Sequence, residues 1–118
     1  MKIDLHSHSN RSDGKESPTE VFEHAAAAGL NVLALTDHDT TSGWAEAAAA
    51  ANRLGLGFVP GIEVTTRAKI SHDGQSFFIA VHMLAYLPNP NHVGLKTAID
   101  ASVESRVGRA QRIVERLS

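Results

Sequence analysis

The pattern of apolar and polar residues predicts three short strands in the first half of the chain. Residues 3–8 alternate between the two classes, and residues 31–36 form a continuous apolar run. Residues 57–64 read as a third strand that Pro60 and Gly61 bend or interrupt. Because a continuous apolar run is typical of a strand buried on both faces, the pattern favours a parallel sheet.

A helix is predicted between the first two strands. Ser17 is a good N-cap, Pro18 suits the first helical position, and Glu20 completes a capping box. The helix should cover residues 19–28, since Gly29 is a natural C-terminal stop.

A second helix is predicted over residues 43–54, with Ser42 as its N-cap and an end near Gly55. The resulting order of strand, helix, strand, helix, strand indicates an α/β fold. Its parallel strands would be joined by right-handed crossovers and flanked by helices.

The second half of the chain continues with two strands and a helix. Residues 65–70 and 75–86 flank a hairpin turn predicted at residues 71–74. Residues 88–91 read as a loop, and helical spacing of apolar residues resumes from His92. Since no stop signal follows, we expect the chain to be truncated.

Composition narrows the classes of function. The chain has 118 residues, 42% of them hydrophobic, and a net charge of -2. These values are ordinary for a globular protein and disfavour a non-specific nucleic-acid binder, so no stable binding of double-stranded DNA is expected. There is no cysteine, which excludes disulfides and thiolate metal sites. No signal peptide or membrane span is evident, and a cytoplasmic location is expected.

Ionisable residues gather where the predicted strands end. His6 and His8 lie two positions apart, so their side chains share one strand face. Alone, such a pair is more often a surface feature than a metal site. Here Asp13 follows in a turn, His38 follows the second strand, and Glu63 lies near the end of the third.

These side chains should converge, because the carboxyl ends of parallel strands meet at one rim. Charge buried there needs a partner, and a metal ion is an effective one. Imidazole and carboxylate ligands without thiolate suit manganese, iron or zinc.

The same segments resemble the motifs of the PHP (polymerase and histidinol phosphatase) family. Residues 4–9 with residues 12–14 resemble its first motif, residues 35–39 its second and residues 60–64 its third. Residues 81–84 resemble the strand that carries a further histidine ligand. The resemblance implies a distorted (β/α)7 barrel, of which residues 1–118 would be the N-terminal portion of a single domain.

The resemblance also implies the roles of individual side chains around two or three divalent ions. Six residues would be metal ligands: His6, His8 and Glu63 for the first ion, Asp13 and His38 for a second, and His82 for an ion that Glu63 bridges. Three carboxylates would support them and orient imidazoles: Asp4, Asp37 and Asp39. For Asp39, a turn or cap role is equally compatible with the sequence.

Residues 37–40 read Asp-His-Asp-Thr, and Gly43 and Trp44 follow. This resembles the branch that hydrolyses nucleoside 3',5'-bisphosphates and short RNA 5' ends. The PHP domains of replicative polymerases usually read Asp-His-Gly-Asn there, and histidinol phosphatases usually carry His at the position of Asp13.

Arg106 and Arg109 lie in a segment that resembles the helix whose arginine holds a substrate phosphate in that branch. A solvated helix face would show a similar pattern of charges. Trp44 is interpreted as a packing residue. Three further histidines are interpreted as structural or exposed: His24, His72 and His92.

The expected function is that of a metal-dependent phosphoesterase, a hydrolase in which activated water attacks a phosphomonoester. Its partner would be a small phosphorylated substrate, either the 3'-phosphate of a nucleoside 3',5'-bisphosphate or a short RNA end. Three alternatives stay open: a histidinol-phosphatase-like enzyme, a polymerase-associated PHP exonuclease, and a non-catalytic, metal-stabilised regulatory module.

Overall fold

A computed structural model describes residues 1–87 together with residues 97, 99 and 100. Residues 1–87 lie within one compact unit. Their elements, in chain order, are β1 (Ile3–Asp4), α1 (Pro18–Ala27), β2 (Val32–Leu35), α2 (Trp44–Leu54), β3 (Gly57–His72) and β4 (Gln75–Tyr86). The four strands form one sheet in the order β1-β2-β3-β4, in which β1, β2 and β3 are parallel and β4 is antiparallel to β3. Neither helix in this part of the chain is long and apolar enough to cross a membrane.

The first helix begins with the predicted capping box. The Glu20 N–H donates to the Ser17 hydroxyl at 3.1 Å, and the Ser17 N–H donates to the Glu20 carboxylate at 3.3 Å. Pro18 occupies the first turn, and Gly29 follows the C-cap with a φ of 83°, a left-handed conformation that glycine adopts without strain.

The second helix begins differently from the prediction. Its N-cap is Gly43 and makes no side-chain cap bond, whereas the Ser42 N–H donates to the Thr40 hydroxyl at 3.1 Å. A Cβ at Gly43 would lie 3.0 Å from Leu35 and 3.1 Å from Pro18, so the helix start packs too closely for most side chains. The predicted Ser42 cap is therefore wrong, because packing rather than capping fixes this helix start.

The core lies between the two helices and the parallel strands. Small alanines on one face of α2 allow it to approach α1 and the sheet closely. Phe22 is completely buried, and its ring meets that of Phe58 edge-on with centroids 5.7 Å apart. The buried cluster consists of Phe22, Ala25, Leu33, Leu35, Ala47, Ala50 and Ala51.

Two strands differ in length from the prediction. β1 ends at Asp4, because the Asp4 carboxylate accepts the His6 N–H at 3.0 Å and the chain leaves the ladder. β3 is not interrupted at Pro60: it pairs with β2 up to that residue and with β4 from Gly61 onward. The Pro60 carbonyl accepts the Leu87 N–H at 2.7 Å. The residue that follows β4 is therefore hydrogen-bonded to β3 at the point where β3 changes its partner from β2 to β4.

The hairpin turn is shorter than predicted. Only Asp73 and Gly74 form it, with φ values of 51° and 76°, while His72 pairs with Gln75 in the ladder. Two positive φ values match the mirror-image turns that suit twisted hairpins. The predicted loop at residues 88–91 and His92 lie outside the described residues.

Candidate metal centre

The segment that carries His6 and His8 runs beyond the end of β1 and is fastened to β2. The Ser7 hydroxyl donates to the Ala34 carbonyl at 2.6 Å, and the Thr36 N–H donates to the Ser7 carbonyl at 2.8 Å. The two histidines therefore project together from an extended segment, although not from a strand as predicted.

Backbone contacts place His38 beside Glu63. These two residues form an isolated parallel bridge beyond the β2–β3 ladder. The Glu63 N–H donates to the Asp37 carbonyl at 3.1 Å, and the Asp39 N–H donates to the Glu63 carbonyl at 2.9 Å. The Asp39 carboxylate then accepts the Thr65 N–H at 2.8 Å. The loop after β2 is thus fixed along β3 on both sides of Glu63.

Four imidazoles surround the Glu63 carboxylate. Oε1 lies 2.6 Å from His6 Nε2 and 3.2 Å from His8 Nε2. Oε2 lies 3.2 Å from His38 Nδ1 and 3.4 Å from His82 Nδ1. The Glu63 side chain is only 8% exposed, whereas the His6 side chain is 54% exposed. The carboxylate therefore forms the base of the site, and part of its rim is open to a ligand.

Asp13 extends the cluster through contacts with His8 and His38. Its Oδ1 lies 2.7 Å from His8 Nδ1, and its Oδ2 lies 3.1 Å from His38 Nε2. All six sequence-predicted ligands therefore come together in one continuous cluster.

The cluster contains three overlapping groups that could each hold a metal ion. They are His6, His8 and Glu63; His8, Asp13 and His38; and His38, Glu63 and His82. Atoms bound to one ion at about 2.1 Å cannot lie more than about 4.2 Å apart. In the first group the three atoms lie 2.6 to 3.2 Å from one another. This donor set fits a divalent cation, and the nitrogen and oxygen donors suit manganese, iron or zinc.

Electrostatics keep both carboxylates anionic. Burial alone would raise the pKa of Glu63, but hydrogen bonds with His6 and His8 and the charges of His38 and His8 lower that pKa below its ordinary 4.5. Partial burial of Asp13 acts in the same upward direction. Contacts with His8 and His38 outweigh it and lower the Asp13 pKa below 3.8. Both groups therefore remain in the ionised form that binds metals.

The loop that carries Asp13 is organised by Asp37. This buried carboxylate accepts the Ser9 N–H at 2.6 Å, the Ser9 hydroxyl at 2.7 Å and the Ser12 hydroxyl at 2.8 Å. A Cβ at Gly14 would lie 2.8 Å from the His8 carbonyl oxygen, so the loop closes tightly. The serines were not predicted as site residues. Their position in the sequence, between His8 and Asp13, was the signal that could have identified them as part of the site.

Each of the three predicted supporting carboxylates accepts at least one backbone N–H, and Asp37 also accepts two serine hydroxyls. Asp4 accepts the His6 N–H, and Asp37 accepts the Ser9 N–H and the hydroxyls of Ser9 and Ser12. Their predicted role in orienting imidazoles stays a prediction. Asp39 accepts the Thr65 N–H, and its support of an imidazole stays a prediction.

The remaining predicted residues lie apart from the cluster or outside the described part of the chain. His24 and His72 are exposed beside Glu16 and Asp73. Trp44 packs at the start of α2, where its indole N–H donates to the Gly61 carbonyl at 2.9 Å. Arg106 and Arg109 lie outside the described residues.

Comparison with known proteins extends this picture. The family model described as the PHP domain matches residues 4–106. A 3',5'-nucleoside bisphosphate phosphatase from Chromobacterium violaceum is 42% identical over 94% of this chain and 36% of its own length. A 5'-3' exoribonuclease from Haemophilus influenzae is 36% identical over 98% of this chain and 39% of its own length. The chain thus spans less than two fifths of either relative.

A solved structure shares the arrangement described above. A protein from Bifidobacterium adolescentis described as a metal-dependent phosphoesterase superposes with a TM-score of 0.84 and 36% sequence identity. The match covers 99% of this chain and 38% of that protein.

Proposed function

This chain belongs to the PHP family, and from that premise we propose that it serves the metal-dependent hydrolysis of phosphomonoesters. Its architecture is the mixed α/β arrangement of the N-terminal part of a PHP (β/α) barrel, as the sequence predicted. The proposed substrate is the 3'-phosphate of a nucleoside 3',5'-bisphosphate or the 5' end of a short RNA. Similarity to a bisphosphate phosphatase and an exoribonuclease supports this choice.

One observation carries the proposal. The Glu63 carboxylate directs one oxygen at His6 and His8 and the other at His38 and His82. A carboxylate that faces two imidazole pairs in this way is suited to bridge two cations. A structural ion pair needs only one imidazole beside the Glu63 carboxylate, and four are present.

The chain's own residues would hold the ions and keep them apart. His6, His8 and Glu63 would bind one ion and Asp13 with His38 a second, and His82 would serve an ion that Glu63 bridges. Bound divalent cations supply an activated water at neutral pH and charge stabilisation for a transferring phosphoryl group. Two or three ions of manganese, iron or zinc are proposed, together with phosphate contacts from Arg106 and Arg109 and a cytoplasmic location.

Metal content is the first test. We expect one or more divalent ions per chain after dialysis, measured by elemental mass spectrometry. The Glu63→Gln variant should lose most of this metal, because the amide keeps the shape of the side chain but not its charge. His72→Ala, which removes an exposed histidine far from the cluster, should retain it. Equal metal content in all three proteins would contradict the site.

Substrate chemistry is the second test. Phosphate release should be followed with a nucleoside 3',5'-bisphosphate, and the product should be identified as the 5'-monophosphate. Release of phosphate that depends on added Mn²⁺ and disappears in Glu63→Gln supports the proposal. A chain that binds metal but hydrolyses no phosphoester would favour the non-catalytic module, and processive DNA degradation would favour the polymerase-associated alternative.

A further inference from the structure

The antiparallel part of β3 and β4 forms a two-stranded ribbon, residues 61–72 and 75–86, whose two faces differ in chemistry. Pairing is continuous from Gly61↔Tyr86 to His72↔Gln75, so alternate residues keep to one face throughout. Glu63 and His82 approach to 3.4 Å and identify the metal-binding face. Arg67 and Lys69 fall on that same face.

The metal-binding face is basic beyond the cluster. Arg67 and Lys69 are both exposed, and no ion pair to either is found among the described residues. Between Glu63 and the turn this face carries no acidic residue; its side chains are Thr65, Arg67, Lys69, Ser71, Ser76, Phe78, Ala80 and His82. A merely solvated strand face would usually carry charges of both signs.

An aromatic ring lies among these cations. Phe78 pairs directly with Lys69 and is 65% exposed, the most exposed aromatic side chain among the described residues. The opposite face of the ribbon holds most of the other apolar side chains, including Ile70, Phe77 and Ile79, whereas Ala80 and Leu84 share the face of Phe78. Phe78 therefore supplies an exposed phenyl ring between the metal cluster and the turn, on the face that carries Arg67 and Lys69.

Distance separates these residues from the reacting phosphate. At about 3.3 Å per residue, Arg67 lies about 13 Å along β3 from Glu63, and Lys69 lies about 20 Å away. Neither can share a phosphate group with the cluster, but both can meet later phosphates of a longer substrate. Cations that follow a backbone beside an exposed ring are the features that bind single-stranded nucleic acid.

We propose that the basic face of the ribbon binds the nucleotides that follow the reacting end of a single-stranded RNA. Arg67 and Lys69 contact successive phosphates, and a base stacks on Phe78. This inference rests on the proposed function for its choice of RNA and for the direction of the strand. It assigns a substrate-extending surface distinct from the residues that would hold the metals.

Binding in EDTA tests the surface apart from hydrolysis. The probe is a fluorescent, 5'-phosphorylated RNA tetranucleotide, titrated by anisotropy at several salt concentrations against a fluorescent mononucleotide. For Arg67→Gln/Lys69→Gln, the plot of log affinity against log salt should be shallower by about 1.4, from about 0.7 per lost phosphate contact. Phe78→Ala should bind the tetranucleotide about tenfold more weakly.

Two further variants control for charge and for folding. Arg67→Lys/Lys69→Arg keeps both charges and should keep the wild-type salt slope. Lys2→Gln/Arg53→Gln removes two cations at the amino end of β1 and on α2, and should also keep it. Thermal unfolding of each variant verifies that it is folded.

The outcomes separate this inference from the proposed function. A salt slope that is reduced in Arg67→Gln/Lys69→Gln and in neither of the other two double variants supports the surface, even if no phosphoester is hydrolysed. The surface is refuted if wild type shows no preference for the tetranucleotide, or if Lys2→Gln/Arg53→Gln lowers the salt slope as much as Arg67→Gln/Lys69→Gln does. Hydrolysis of the bisphosphate could still succeed in that case, and the phosphoesterase proposal would stand.

Discussion

Two regions of this chain are stabilised in different ways. The helix-covered region, formed by β1, β2, both helices and the start of β3, buries a continuous apolar core around Phe22. The ribbon leaves much of its apolar surface exposed, including Phe77 at 47% and Phe78 at 65%, and is held mainly by ladder hydrogen bonds. A two-stranded hairpin by itself is only marginally stable in water.

The comparison explains where the metal cluster lies. Glu63 follows the point at which β3 leaves β2 and pairs with β4, so it belongs to both regions. The helix-covered region provides most of its partners, and the ribbon provides His82. The cluster therefore combines ligands from the region with the apolar core and one ligand, His82, from the more exposed ribbon.

The largest difference between the two regions should appear when one phenylalanine in each is replaced by alanine. Phe22→Ala removes a completely buried ring and should lower the free energy of unfolding by about 3–5 kcal/mol. Phe78→Ala removes an exposed ring and should change it by less than about 0.5 kcal/mol. Urea denaturation measures both. Similar losses would show that the ribbon is as well packed as the core.

A smaller effect is expected at the network that connects the loop of Asp13 to the sheet. Asp37→Asn keeps the side-chain shape but leaves one oxygen fewer for the Ser9 and Ser12 donors. We expect a loss of about 1–3 kcal/mol, measured by urea denaturation, and weaker metal binding by titration.

The matched control is Asp73→Asn in the ribbon turn. Asp73 has a φ of 51°, which asparagine tolerates well, so this variant should be nearly neutral. If Asp37→Asn lost stability but kept full metal affinity, the network would serve the fold alone.

Local signals predicted the helix-covered region well. The capping box at Ser17 and the glycines at positions 29 and 55 act within a few residues, so they could be read from the sequence. The course of β3 through Pro60 could not, because the strand changes its pairing partner there from β2 to β4. The early end of β1 was equally hidden, since a single side-chain bond from Asp4 diverts the chain.

The candidate site also divides into features that the sequence could predict and contacts between distant residues that it could not. The convergence of five ligands could be predicted, because the carboxyl ends of parallel strands meet at one rim, whereas His82 on the antiparallel β4 was predicted only from the family resemblance. The contacts of Asp37 with Ser9 and Ser12 could not be predicted, because they join residues 25 and 28 positions apart. Assignment of individual ions to these ligands stays a prediction.

The smallest effect concerns acid sensitivity, which should arise in the helix-covered region and at its boundary. The Glu46 carboxylate accepts the Thr19 N–H at 2.9 Å, and this bond, with contacts from the Thr19 hydroxyl and Arg11, lowers the Glu46 pKa below 4.5 despite slight burial. The unfolded state therefore takes up a proton at higher pH than the folded state. The stabilisation from Glu46 is present above about pH 4.5 and is lost as the pH falls through the folded-state pKa.

Glu46→Gln isolates this contribution, because the amide cannot take up that proton. The variant should be modestly less stable than wild type at pH 7, and the difference should shrink as the pH falls below 4.5. Thermal unfolding midpoints from pH 7 to pH 3 measure the change. Glu23→Gln on α1, which removes an exposed ion pair with Arg53 as well as one negative charge, is the control. A gap between wild type and Glu46→Gln that stayed constant with pH would mean that this bond between the helices contributes no acid sensitivity.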